Sequence, residues 1–177
     1  VLVNKTCAEG GKKFVPIFSD YYKEMVEEFR TVKPGDFYST DQLSVRTFKT
    51  IHDDPESVGF VFDLDGIKLA YVSDSSYFEG LAKAIGKVDV VVLNMLRPGN
   101  ERYEGHMCAE DAIKLLNEIK PKLALLSHLG FKVLSAGPES EARKIEAKTG
   151  IRVIAAKDGM KLNLNEELKQ KRLQSFA

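Results

Sequence analysis

The chain has 177 residues, 44% of them hydrophobic and 29% charged, with 26 basic and 26 acidic side chains and a formal net charge of zero. That composition excludes a disordered chain, and one domain's worth of residues buries enough core to fold without a disulfide or structural metal. Zero net charge excludes a general electrostatic pull on nucleic acid or on an anionic membrane, and no run reaches the ~20 apolar residues of a membrane span.

In chain order, Val1-Leu2-Val3 is a short strand-like run. Asn4 and Lys5 follow too soon for a signal peptide. Phe18 to Arg30 carries Tyr21, Tyr22, Met25, Val26 and Phe29 at helical spacing and predicts a helix, with Ser19 or Asp20 as its cap. Lys33-Pro34-Gly35-Asp36 is a turn. Leu43 to Ile51 alternates as a strand. Val58 to Leu64 and Ile67 to Ser73 are two more, joined by the hairpin signal Asp65-Gly66.

Tyr77 to Ile85 reads as a short helix ended by Gly86. Val88 to Leu93 is a buried strand, and Arg97 to Gly105 a polar loop. Ala109 to Ile119 is an amphipathic helix stopped before Pro121, followed by a buried strand at Leu123 to Leu126. Pro138 to Thr149 is a helix closed by Gly150. Ile151 to Ala156 and Met160 to Leu164 are expected as strands around Asp158-Gly159, and Asn165 to Ala177 as an amphipathic helix with Leu168, Leu173 and Phe176 apolar. A hairpin followed by β-α-β-α-β predicts an α/β layered domain with a mixed sheet.

Cys7 and Cys108 are the two cysteines, far apart in sequence. They make no disulfide framework, which points to a reducing cytoplasm. Scarce Gln, absent Trp and abundant Lys and Glu lean toward a thermophile.

The three histidines all fall where strands end or a helix is about to start. His52 follows Leu43–Ile51, His128 follows Leu123–Leu126, and His106 sits in a Gly-His loop before the helix at Ala109. Asp74 ends the strand Ile67–Ser73. Each has an ordinary reading: a lone His is usually a surface residue, an Asp before a helix usually its N-cap, Cys108 a small buried thiol, and Asp53-Asp54 a solvated turn pair. Together they suggest more, because imidazole and carboxylate are ligands for borderline or hard divalent ions. An aspartate can bridge two such ions, which activate a water for displacement at phosphorus or a carbonyl.

The run His52-Asp53-Asp54-Pro55-Glu56-Ser57-Val58-Gly59-Phe60, followed by a hairpin and Val72-Ser73-Asp74-Ser75, resembles the metallo-β-lactamase superfamily. Within it, the run is similar to the branch holding ribonuclease Z and phosphonate-pathway phosphodiesterases. Gly105-His106 before a helix and Leu125-Leu126-Ser127-His128 resemble that branch's closing motifs, so the likeness covers about residues 43 to 164. It implies an αββα sandwich, present mainly as its C-terminal half. In that sandwich His52 would bind one metal, Asp74 would bridge two, His128 would bind the second, and His106 would serve the leaving group as acid or phosphate contact. The ions implied are divalent, zinc first, with iron or manganese as alternatives.

The family's His-x-His-x-Asp-His segment has no counterpart, since no His precedes His52. The missing ligands would come from an absent N-terminal half, a second copy or another chain, and the start at Val1 fits a piece of a longer protein. The function expected is a metal-dependent hydrolase of small phosphodiesters or other esters. Neutral charge disfavours a long nucleic-acid substrate, and Arg97 and Arg102 are candidate phosphate contacts or solvated surface residues. The alternatives are a non-catalytic subunit acting by association, and a plain α/β binding domain in which His52, Asp74 and His128 do not converge.

Overall fold

The computed structural model describes residues 1–174, with side chains to Lys169. The chain opens with β1 (Leu2–Asn4) and α1 (Lys5–Glu9), where the Asn4 side chain caps the helix by accepting from the Cys7 amide at 2.8 Å. Then come α2 (Asp20–Glu24), β2 (Arg30–Val32), β3 (Phe37–Ser39), β4 (Ser44–Lys49), β5 (Val58–Leu64), β6 (Ile67–Val72) and α3 (Leu81–Ile85). The second half holds β7 (Val90–Arg97), β8 (Met107–Cys108), α4 (Ala109–Ile119), β9 (Leu123–Ser127), α5 (Phe131–Ala136), α6 (Pro138–Thr149), β10 (Arg152–Ala155) and α7 (Leu164–Gln174).

The main sheet runs β10-β9-β7-β6-β5-β4-β3, with β8 paired to the end of β7. Its β3-to-β6 half is antiparallel, built from hairpins such as Asp65-Gly66, where both residues take positive φ. Its β6, β7, β9 and β10 half is parallel, each connection passing through helix. The result is an α/β fold, a mixed sheet flanked by helices.

The alternation of each strand sorts residues between two faces. Val91, Leu93 and Met95 of β7, with Ala124 and Leu126 of β9, pack under Leu81 of α3, Leu115 and Leu116 of α4 and Ile145 of α6. Each large aliphatic side chain buried there contributes roughly 1.5–3 kcal/mol. The opposite face carries a lateral row, Phe60, Tyr71, Val92, Leu125 and Ile154, paired residue to residue across five strands. All five are half-buried.

Three expectations fail in whole or part, the first being the helix over Tyr77–Ile85, of which only Leu81–Ile85 forms. The helix predicted over Phe18–Arg30 shrinks to Asp20–Glu24, leaving Tyr21 67% exposed, and Arg30 begins a strand instead. The apolar spacing there finds no surface to pack on, while Arg30–Val32 finds a parallel ladder with Leu2–Asn4; propensity yields to tertiary pairing. The strand expected at Met160–Leu164 does not form, because the turn after Lys157 leads off the sheet and Leu164 opens α7. Within α7, Leu168 is half-buried and Glu167 pairs with Arg152 of β10. Phe176 lies outside the described residues. The short elements β2, β3, β8 and α5 are too brief to carry a periodic signal.

Candidate metal centre

The parallel half of the sheet places its loops at one end, where strand termini hold side chains rigidly above the core. Asp74 follows β6, His128 follows β9, His52 follows the β4 end and His106 lies just before β8. His52, Asp74 and His106 each offer a ligand atom, all within 4.8 Å of one another. Oδ2 of Asp74 is 3.6 Å from Nε2 of His128 and 3.9 Å from Nε2 of His106. The His106 ring stands edge-on to His52 at 5.0 Å and stacked with His128 at 6.0 Å between centroids. The structure thus brings together all four residues singled out in the sequence, against a reading in which the histidines are scattered by chance.

Local hydrogen bonds explain the placement. Ser75, fully buried, accepts from the Ile51 amide at 3.0 Å, and the Ser76 amide donates to the Ile51 carbonyl at 2.8 Å. Ser76 Oγ accepts from the Gly105 amide at 2.9 Å. Two adjacent serines therefore tie the His52 loop and the His106 loop to the turn that carries Asp74. Gly105 takes φ +75°, and a Cβ there would lie 3.0 Å from Cδ2 of His52. Nδ1 of His106 lies 3.0 Å from the Glu104 carbonyl, so it donates in the assigned tautomer and Nε2 is left to face Asp74. His128 sits at φ +50°, a left-handed strain that a non-glycine residue rarely accepts.

Several sequence readings need adjusting. Asp54 is no solvated turn residue: its Oδ2 accepts from Asn4 Nδ2 at 2.7 Å and its Oδ1 from the Glu56 amide at 3.0 Å, bracing the loop behind His52. Asp53 is exposed. Arg102 pairs with Asp111 at 3.1 Å and Arg97 lies over the Tyr103 ring, 5.1 Å from its centroid. Cys108 is fully buried; burial pushes its thiol pKa up, and Sγ donates to Asp111 at 3.2 Å, which makes it a poor nucleophile. Sequence reading missed Ser76 and Asn94. Asn94 Nδ2 donates to Oδ1 of Asp74 at 2.9 Å. Its signal was available: it is the one polar residue in Val90 to Leu96.

Three imidazoles and a carboxylate form a donor set that suits a borderline divalent ion. A cavity of about 590 Å³ lined by Ser127, His128, Leu134, Pro138, Glu139 and Lys157 opens beside His128.

Fold and cluster together define a metallo-β-lactamase-like protein with its histidines and aspartate gathered at the strand ends. The chain belongs to the metallo-β-lactamase superfamily: the family model described as "Beta-lactamase superfamily domain" matches residues 4–129. It is 34% identical over 158 residues to an uncharacterized protein of Methanocaldococcus jannaschii, a match covering 88% of this chain and 59% of that protein. The chain thus spans less than two thirds of that relative's length. In fold it is similar to the metallo-beta-lactamase fold protein YhfI from Bacillus subtilis (TM-score 0.66, 18% identity, covering 74% of this chain and 54% of that one). It is also similar to Igni18, a metallo hydrolase from Ignicoccus hospitalis (TM-score 0.64, 16% identity, covering 91% and 66%). No helix among the described residues is long and apolar enough to cross a membrane.

Proposed function

We propose that this chain carries part of the active site of a metal-dependent hydrolase that cleaves phosphodiester or related ester bonds. The observation that carries the reading is the convergence of His52, Asp74 and His106 within 4.8 Å, with His128 3.6 Å from the same carboxylate. A divalent ion held there, zinc first, would supply Lewis acidity for activating a water. His52, within the tight triad, and His128, with Nε2 3.6 Å from Asp74 Oδ2, would supply imidazole nitrogens to such an ion. To serve as an acid, His106 would have to be the imidazolium, keeping its Nδ1 proton on the Glu104 carbonyl and giving its Nε2 proton to the departing oxygen. A second reading, in which His106 itself is a ligand, is favoured by its membership of the tight triad and by that same backbone hydrogen bond.

Phosphorus chemistry is supported by the fold's likeness to a diphosphatase of the PhnP family (TM-score 0.63, 16% identity). Four side chains fall short of two complete coordination shells, so we infer that further ligands come from residues beyond this sequence, in the same polypeptide or a partner. The half-buried apolar row on the sheet's outer face is a surface such a segment would cover. The test is zinc and cobalt uptake by the folded chain, followed by hydrolysis of a chromogenic phosphodiester. Weak uptake abolished by Asp74→Ala supports the reading. A folded chain that takes up no metal at millimolar concentration overturns it in favour of a non-catalytic association module.

A further inference from the structure

We propose that Asn94 is a positioning residue that orients the two oxygens of Asp74, holding Oδ1 and leaving Oδ2 aimed at His106 and His128. This rests on the metal-site reading above and deepens it.

Asn94 lies on the interior strand β7, directly across from Ser127 of β9, and is only 9% exposed. Its neighbours in the strand are Val90, Val91, Val92, Leu93, Met95 and Leu96, so an aliphatic residue would satisfy the packing at this position. Instead the strand keeps an amide whose Oδ1 is buried with no hydrogen-bond partner among the described residues. Native structures rarely bury such a group unpaired, so an amide in this strand needs a reason. Nδ2 accounts for its presence: it donates to Asp74 Oδ1 at 2.9 Å, with the Tyr71 hydroxyl at 3.5 Å. Flipping the amide would set a carbonyl against a carboxylate, two acceptors face to face, so Asp74 itself fixes the orientation.

The two carboxylate oxygens are thereby made unequal. Oδ1 faces the amide, while Oδ2 faces Nε2 of His128 and of His106 at 3.6 and 3.9 Å. A carboxylate free to turn could close both oxygens on a single cation. With Oδ1 held by the amide, the carboxylate is kept from turning, and Oδ2 stays the oxygen aimed at His128 and His106. The effect on the metal is indirect, through an oriented ligand, and losing such a support typically costs about 10–100-fold in metal affinity.

The test uses the full 177-residue chain, cobalt(II) as the probe, and the variants Asn94→Ala, Asn94→Asp and Asn94→Ser. Affinity is read against a competing chelator and coordination from the visible absorption, whose intensity falls as cobalt gains ligands. Asn94→Ala and the nearly isosteric Asn94→Asp are expected to lose roughly 10–100-fold in affinity. The Ala variant should also show a weaker visible band, as the released Oδ1 joins Oδ2 on one ion. Asn94→Ser, which keeps a short donor, should recover part of both. Unchanged affinity and spectrum in a folded Asn94→Ala overturn the inference while the metal-site reading stands. A wild-type chain that takes up no cobalt overturns both. Failure of all three variants to fold would assign Asn94 to the core and also overturn the inference.

Discussion

Gly105→Ala separates backbone strain from damage to the centre. At φ +75° an alanine pays about 1 kcal/mol for the left-handed conformation. The new Cβ would also stand 3.0 Å from Cδ2 of His52, where carbon atoms prefer about 3.5–4.0 Å. The His52 ring must give way by roughly half an ångström, and a rotamer forced aside costs about 0.5–1.5 kcal/mol. The sum is about 2 kcal/mol. With a urea slope near 2 kcal/mol/M, the unfolding midpoint should fall by about 1 M. Gly66→Ala is the control: its φ is +83°, but a Cβ there meets nothing within 4 Å. It should lose only the strain, about 0.5 M of midpoint, with metal uptake intact. Gly105→Ala should in addition bind cobalt about tenfold more weakly through the displaced His52. Equal midpoints for the two variants, with equal cobalt affinity, would refute the claim that Gly105 is required by the close approach of His52.

Asp74→Ala and His128→Ala should each abolish metal uptake, checked by metal content after dialysis. His106→Ala distinguishes the two roles for that residue: retained metal with slower ester hydrolysis means an acid, lost metal means a ligand. Asp89 ties three strand starts together, accepting from the Lys68 amide at 3.0 Å and pairing with Lys122 at 2.7 Å. Burial pushes its carboxyl up, but the Lys122 hydrogen bond, the Lys68 amide and both lysine charges outweigh that and hold it below the ordinary 3.8. A depressed carboxylate stabilises the fold above its unfolded pKa and loses that contribution as pH falls through its folded value. Asp89→Asn should therefore cost about 1 kcal/mol at pH 7, and the gap to wild type should close below pH 3.8, read by urea titration at several pH values. Gly59→Ala would place a Cβ 2.2 Å from the ring of Phe48, its cross-strand partner in the core. Overpacking of that kind should cost about 1–3 kcal/mol in thermal or urea unfolding, more than Gly66→Ala if the ring cannot shift.

The local chemistry of this chain is written in its sequence. Asp65-Gly66 between two apolar runs dictates a hairpin, and the buried runs at Val90 and Leu123 dictate interior strands, because turn conformation and hydrophobic period are properties of neighbouring residues. The positions of His52, Asp74, His106 and His128 at strand ends were legible for the same reason, and so was the superfamily, through short motifs in the right order. That these four side chains meet is decided by the tertiary structure. It follows from the parallel packing of β6, β7 and β9 and from the Ser75 and Ser76 hydrogen bonds that draw the His52 and His106 loops together. The Phe18–Arg30 pattern shows the limit in the other direction. Its helical period was real, but without a surface to bury Tyr21 and Met25 most of the helix does not form, and Arg30 pairs with Leu2 instead. Periodicity states what a segment could bury; only the assembled sheet supplies something to bury it against, or an aspartate for a buried asparagine to hold.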